Sequence, residues 1–431
     1  MPETRPIIHW ISPLPPAETD IAHYTRRILP ALSERAELTL WTDSNTWDRE
    51  LERFCSVKQL NPREILPRAM KAGGPCKNQP GILFIHIGNS WMFHAGLLML
   101  ARRMPSIIVL HDLAIQEMLR DAVHHKVLYK ETYLSAMHRW YGDEGQAAAE
   151  RTLKGAMSAS QLGQQYPGFE IAMEHATAVL THTSAASRAV ADRGFIPAYQ
   201  LNLPFQTSGG GRINRTTTGP LRLVQFGHIG ANRRLEQVLD ALAAMGPDFD
   251  FIFDVAGKVW NPALIRQKCA DLGIATKVKL HGYVSEPALD LLIAQAHLVF
   301  NLRHPTMGEA SGSQLRIWNA AAASVVTDQG WYAELPRDTV FHIPLQDEGP
   351  ALQNLLSRID KDRSLGQTIG QAGYQHVVAH HSPAQYADGI VEVAKKFEQD
   401  TRDVLFADSA RRLLLRSPDI ALKRRRLAQL F

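Results

Sequence analysis

Short apolar runs alternate with longer stretches of helical spacing along almost the whole chain. The first run, 6–11, leads through the proline-rich loop SPLPPAETD into a helix expected over 21–32. A second strand is expected at 37–41. A buried-type strand at 82–86 leads through Gly88, Asn89 and Ser90 into a helix over 91–103, and another at 106–110 ends at His111 and Asp112. Residues 129–173 keep helical spacing with no strand pattern. Alternation resumes with 178–181 and a helix running to Arg193. Residues 206–219, QTSGGGRINRTTTG, lack apolar periodicity and read as a linker. Beyond them the rhythm restarts, with strands expected at 221–226, 251–256, 278–281, 298–301 and 324–327. Helices at 351–358, 364–379 and 384–399 follow. Strands of a few apolar residues separated by helices of ten or more specify βαβ units and parallel sheets.

The expected fold class is therefore α/β, with two Rossmann-like parallel-sheet domains facing a cleft. The expected division is an N-terminal domain over 1–205 with a helical excursion at about 125–175, a linker at 206–219 and a C-terminal domain over 220–383. A crossover helix over 384–405 and a basic tail over 406–431 complete the chain. Ligands of open parallel sheets bind at the carboxyl ends of the strands. The polar residues expected at those ends are His111, Asp112, Ser184, Gly227, Arg233, Gly257, Lys258 and Glu309.

Composition narrows the class without deciding the chemistry. A chain of 431 residues with 45% hydrophobic and 21% charged residues is ordinary for a globular protein. No apolar run approaches the roughly 20 residues of a membrane span, and the N-terminus has no signal-peptide pattern, so a cytoplasmic location is expected. The three cysteines, Cys55, Cys76 and Cys269, are widely spaced, which argues against a disulfide framework and a cysteine metal site. A net charge of +4 does not call for nucleic acid. That charge is uneven: from Arg411 onward six Arg and one Lys face a single Asp. The tail 411–431 suits an anionic membrane surface, and equally a solvated terminal helix or a protein contact.

The stretch 301–321, NLRHPTMGEASGSQLRIWNAA, concentrates the chemistry. An apolar run feeds a loop containing Thr306, Met307, Gly308, Glu309, Ser311, Gly312 and Ser313, and a helical pattern starts near Ser313. Free N–H groups and the helix dipole make such a junction an anion seat. Glu309 adds an acceptor for sugar hydroxyls. Arg233 and Arg234 are expected to open a helix, where a cation is unfavourable unless an anion is present. Asp248-Phe249-Asp250 spells a DxD but precedes a strand instead of ending one. The adjacent pairs His124-His125 and His380-His381 diverge on a helix. Gly227 and Gly230 lack the third glycine and acidic partner of a dinucleotide fingerprint. No metal site is expected.

These residues resemble the GT-B fold retaining glycosyltransferases of the family 4 type, the class acting in bacterial surface-polysaccharide assembly. NLRHPTMGEASGSQLR with TDQGWYAELP looks like their donor-site block. FGHIGANRRLEQVLDAL is similar to their diphosphate segment, and SPLPPAETDIAHYTRRILPAL and VLHDLAIQEML resemble their acceptor half. The resemblance implies a nucleotide-sugar co-substrate, GDP- or UDP-linked, and no other cofactor. It implies a saccharide or lipid-linked oligosaccharide acceptor, metal-independent transfer of a hexose such as mannose with retention, and a final helix returning to the first domain. It assigns His111, Glu309 and Arg233 to catalysis. Donor binding falls to Gly227, Gly230, Arg233, Lys258, Thr306, Met307, Gly308, Glu309, Ser311, Gly312, Ser313 and Arg316. A peripheral position at the inner face of the cytoplasmic membrane would suit such an acceptor. Three positions depart from the pattern. Arg233 replaces a common lysine, and Asp20 stands where glycine is expected. Arg316 stands near the place of the second glutamate that receives the ribose, one residue short of the usual spacing. A nucleotide-sugar epimerase and a non-catalytic subunit of a membrane-associated assembly, both on the same fold, are the alternative readings.

Overall fold

The computed structural model describes residues 5–62, 81–194, 196–208 and 215–399. Cys76, the middle of the expected linker and the basic tail lie outside these residues. The chain divides into two compact units. The first takes the residues up to Pro204, the short segment Met307–Ala310 and the chain from Pro383. The second takes Phe205–Thr306 and Ser311–Ser382.

Seven strands form the sheet of the first unit: β1 (Ile7–Ile11), β2 (Glu37–Thr42), β3 (Ser56–Gln59), β4 (Ile82–Ile87), β5 (Ser106–Leu110), β6 (Ala176–Thr181) and β7 (Ala198–Gln200). Their order is β3-β2-β1-β4-β5-β6-β7, and every pairing is parallel. The inner strands are apolar on both faces because helices cover both, as a parallel sheet requires. The order reverses between β1 and β4, where successive connections leave on opposite faces. The strand-free stretch folds as helices Lys130–Leu153, Ala159–Gln165 and Glu170–Met173, the first kinked at Gly142. Buried Glu174 ties this excursion to the sheet layer through Arg102 at 3.1 Å and Arg139 at 2.9 Å.

The helix Pro383–Gln399 belongs to the first unit and packs on the helix Asp20–Arg35. Its Tyr386, Ala387, Ile390, Val393 and Ala394 join Trp10, Leu29 and Phe84 in one core cluster. The Tyr24 hydroxyl donates to the Tyr386 hydroxyl at 2.6 Å inside it. A C-terminal helix returning to the first domain is thus present.

The second unit holds six parallel strands: β8 (Leu221–Phe226), β9 (Phe251–Ala256), β10 (Val278–Gly282), β11 (Leu298–Phe300), β12 (Ser324–Thr327) and β13 (Phe341–Ile343). Their order is β10-β9-β8-β11-β12-β13, with the reversal between β8 and β11. Among the described residues no helix is long and apolar enough to cross a membrane.

Three strands, β3, β7 and β13, were not expected from the apolar pattern, and all three are sheet edges. An edge strand buries less of itself and needs no continuous apolar run; β3 reads SVKQ and is largely exposed or half-buried. The linker residues 215–219 run beside the second unit, where Arg215 donates to the carbonyls of Ala296 at 2.6 Å and Ala320 at 2.9 Å.

Two glycines close the ends of β8 and β9. Gly227 has φ +102° and Gly257 φ +126°, and a Cβ on Gly257 would lie 2.0 Å from the Gly227 carbonyl oxygen. Neither the dihedral nor the space admits a side chain. Gly257→Ala should therefore lower unfolding free energy by about 3 kcal/mol or more. Urea denaturation measures it, and a midpoint equal to wild type would contradict the close approach.

Candidate functional site

The reversal of strand order in the second unit explains where its polar residues meet. Phe300 of β11 is in register with Gln225 of β8, so the residues leaving the two strands emerge side by side. From β8 come Gly227, Gly230 and a short 3₁₀ turn, Ala231–Arg233. From β11 comes Asn301, followed by the loop to the helix Gly312–Asn319. Arg233 does not open a helix as expected; it closes the 3₁₀ turn, and the helix Leu235–Ala244 begins two residues later. The two adjacent arginines diverge. Arg234, at φ +59°, turns to Glu348 with Nε–Oε2 at 3.1 Å, while Arg233 turns inward and is only 7% exposed.

Arg233 is fixed by a buried chain of hydrogen bonds. Its Nη1 donates to Asn301 Oδ1 at 3.0 Å, and Asn301 Nδ2 donates to Gln314 Oε1 at 2.9 Å. Gln314 Nε2 donates to Ser324 Oγ at 2.7 Å, and Gln225 Nε2 donates to the Arg233 carbonyl at 2.7 Å. The directions are self-consistent. A guanidinium only donates, so the Asn301 oxygen faces it and its NH₂ faces Gln314. Ser311 caps the helix Gly312–Asn319, its Oγ accepting from Gln314 N at 3.1 Å. Gly312 and Ser313 form the first turn, and a Cβ on Gly312 would meet nothing within 4 Å among the described residues. A desolvated, oriented guanidinium at a strand switch point suits an oxyanion such as a diphosphate.

The remaining candidates of this unit separate. The Arg233 guanidinium passes 3.3 Å from where a Gly227 Cβ would sit, so Gly227 also makes room for it. The Gly230 carbonyl accepts from Arg233 N at 3.0 Å. Lys258 follows Gly257 with an exposed side chain, and its carbonyl accepts from Ile229 N at 2.8 Å. Thr306 packs against Gly330. Arg316 is drawn to the helix Glu286–Gln295 instead. Its guanidinium holds Asp290 at 2.7 Å and Glu286 at 2.5 Å. A cation so occupied acts as a brace between two helices.

The segment Met307–Ala310 groups with the first unit. The Met307 carbonyl accepts from Ala114 N at 2.9 Å, and the Gly308 carbonyl from Thr183 Oγ1 at 3.3 Å. Gly308, at φ +78°, lies against Leu113, which a Cβ would approach to 2.5 Å. Met307 N donates to Glu309 Oε2 at 2.7 Å, which fixes the carboxylate close to its own loop. Glu309 is thereby carried on a segment that packs two and three residues beyond His111.

His111 follows β5 and sits in a cluster that sequence reasoning missed. His86 Nδ1 and His111 Nε2 are 2.9 Å apart. The His182 ring lies 5.0 Å from His111, and the Tyr24 ring touches all three imidazoles at 5.0–5.8 Å between centroids. His94 Nδ1 lies 3.0 Å from the His86 carbonyl, and His182 Nδ1 3.0 Å from the Leu201 carbonyl. Burial lowers the pKa of all four; His94 and His182 fall to about 4, and His86 and His111 lie well below 6.5 with the neighbouring imidazoles as secondary causes. The cluster is neutral at pH 7. Asp112 does not cap the following helix. Its Oδ2 accepts from Asn89 N at 2.8 Å, and the helix Gln116–His124 begins later, after Ile115.

Over nearly the whole chain the fold is that of solved glycosyltransferases. Anabaena HepE in complex with UDP superposes with a TM-score of 0.58 at 14% identity, over 91% of this chain and 100% of that one. A Rickettsia africae glycosyltransferase gives 0.62 at 10%, over 92% and 100%. The sucrose-phosphate synthase of Thermosynechococcus elongatus gives 0.60 at 16%, over 92% and 100%. The fold is therefore GT-B. Residues 233–392 match the model of a family described as glycosyl transferase-like, a segment that begins at Arg233 and contains the Asn301 network. No curated protein sequence matches the chain.

The neutral histidines give stability a pH dependence. Each has a folded pKa below its unfolded value, so the unfolded chain takes up protons first as pH falls. The contribution is fully present above about pH 6.5 and is lost as pH falls toward 4. Between pH 7.5 and 5 His94 and His182 should each remove about 1–2 kcal/mol of unfolding free energy. Urea titrations at the two pH values measure the loss, which His182→Asn should reduce; equal stability at both would contradict burial of neutral imidazoles.

Proposed function

We propose that this chain is a retaining glycosyltransferase that moves a hexose from a nucleotide sugar to a saccharide or lipid-linked acceptor. The observation that carries the reading is Arg233, buried and oriented by Asn301 at the β8–β11 switch point, within the segment that matches the glycosyl transferase-like family. A nucleoside diphosphate leaving group develops charge that a preorganised cation stabilises, by roughly 3 kcal/mol per donor. Arg233 is read as that cation, Lys258 and the first turn at Gly312 and Ser313 as its helpers. Glu309 and His111 are read as the sugar contacts, one accepting from hydroxyls and the other hydrogen-bonding to an oxygen. Departure of the diphosphate leads, the acceptor hydroxyl attacks from the same face, and its proton passes to a donor phosphate oxygen. That sequence needs no carboxylate base and no metal.

UDP and UDP-glucose, each captured in a HepE structure, favour a UDP-linked donor. GDP-mannose is the competing donor in the test. Arg316 leaves the ribose without the usual carboxylate, which favours a weaker ribose contact over a lost fold. The position taken for the protein is the cytoplasmic side of a membrane, with residues 411–431 as the basic contact.

A thermal-shift screen with UDP-glucose and GDP-mannose identifies the donor, since a ligand of the native state raises the midpoint by mass action. Transfer assayed with that donor should fall about 100-fold or more in Glu309→Ala, while the donor-induced shift persists. Full transfer by Glu309→Ala would remove Glu309 from the site. Donor conversion without acceptor would favour an epimerase, and no shift with any donor a non-catalytic subunit.

A further inference from the structure

We propose that His86 is a positioning residue that holds His111 in one tautomer, so that His111 presents an Nδ1–H donor and offers no basic nitrogen. The inference rests on the reading of His111 as a donor-sugar contact.

One hydrogen bond, 2.9 Å long, joins His86 Nδ1 and His111 Nε2. Both rings are neutral, so one nitrogen donates and the other accepts. His86 is fully buried, and its Nε2 has no hydrogen-bond partner among the described residues. If His111 Nε2 carried the proton, His86 would accept at Nδ1 and leave an N–H buried and unsatisfied at Nε2. If His86 Nδ1 carries it, the orphan at Nε2 is a lone pair. Orphaned buried N–H groups are the rarer and costlier case. The proton therefore sits on His86 Nδ1, the Nε2 lone pair of His111 is consumed, and the second proton of that ring system sits on His111 Nδ1.

The surroundings hold His86 in this role. Trp10 lies against its ring at 4.3 Å between centroids, Tyr24 at 5.6 Å, and its own carbonyl receives the His94 Nδ1–H at 3.0 Å. His86 lies in β4 opposite Val109, and His111 follows Leu110 of the adjacent β5, which is in register with Ile87. The Tyr24–Tyr386 hydroxyl pair closes the far side of the cluster. His182 cannot compete for His111 as an N–H donor. Its Nδ1–H is committed to the Leu201 carbonyl, and its Nε2 is a buried lone pair without a partner among the described residues. A neutral imidazole held this way donates to a hydroxyl or phosphate oxygen and does not act as a general base.

The test is long-range ¹H–¹⁵N NMR of the full chain labelled at histidine, with His111→Gln to assign the His111 ring. Wild type should show His111 protonated at Nδ1 and bare at Nε2. His86→Asn, whose Nδ2 replaces the donor at the Nδ1 position, should keep that signature and hold kcat within about threefold of wild type. His86→Phe removes the donor. His111 should then shift toward the Nε2–H form, with kcat falling about tenfold or more while the donor KM changes little. An Nε2–H signature in wild type, or an unchanged tautomer in His86→Phe, overturns the proposal. If wild type transfers no sugar, the reading of the site fails, yet the wild-type tautomer still decides this inference. Should His86→Phe not fold, the wild-type and His86→Asn spectra decide it.

Discussion

The carboxamide of Asn301 is the constraint on which the second unit depends. One side chain joins the end of β11 to the Arg233 turn after β8 and to the first turn of the helix Gly312–Asn319. Each of its atoms has a fixed role because the guanidinium can only donate. Gln314 and Ser324 extend the same logic to β12. These side chains form a buried polar network, in which each bond is stronger than it would be in water. Its members are set by backbone positions that the strand reversal brings together. The diphosphate seat proposed for Arg233 is then a consequence of how the sheet is wound.

The first unit uses the same reversal for different chemistry. Its strand ends carry imidazoles instead of a guanidinium, and burial keeps those imidazoles neutral. The final helix completes the cluster, because Tyr386 supplies the hydroxyl that Tyr24 meets. The chain thus places an oriented cation on one unit and uncharged hydrogen-bonding rings on the other. In the proposed transfer the cation would stabilise the leaving group and the rings would contact the sugar.

Most of the architecture was legible in the sequence because parallel sheets write their inner strands as apolar runs. The nine inner strands carry that signal, and so does the edge strand β10, whereas the edges β3, β7 and β13 do not, since an edge needs less burial. The loop 301–321 stood out as a strand end, a glycine-bearing loop and a helix start, and the structure has the elements in that order. Within it Asn301 could have been found by the rule that picked out Gly227, a polar residue directly after a strand. The imidazole cluster had no such signal: Tyr24, His86, His111, His182 and Tyr386 are scattered along the chain and meet only through sheet register and the returning helix. Arg316 and Asp112 show the opposite limit. Sequence position located both residues but not their partners, and Glu286, Asp290 and the Asn89 N–H claim them.

The central claim is that Asn301 makes Arg233 a preorganised anion seat. A double-mutant cycle on nucleoside diphosphate affinity tests it most directly, with UDP and GDP titrated calorimetrically into wild type, Asn301→Ala, Arg233→Ala and the double variant. The account predicts about tenfold or greater loss in each single variant and a double variant no weaker than Arg233→Ala, a coupling of about 1 kcal/mol or more. Independent, additive losses, or an Asn301→Ala protein that binds as wild type does, would contradict it.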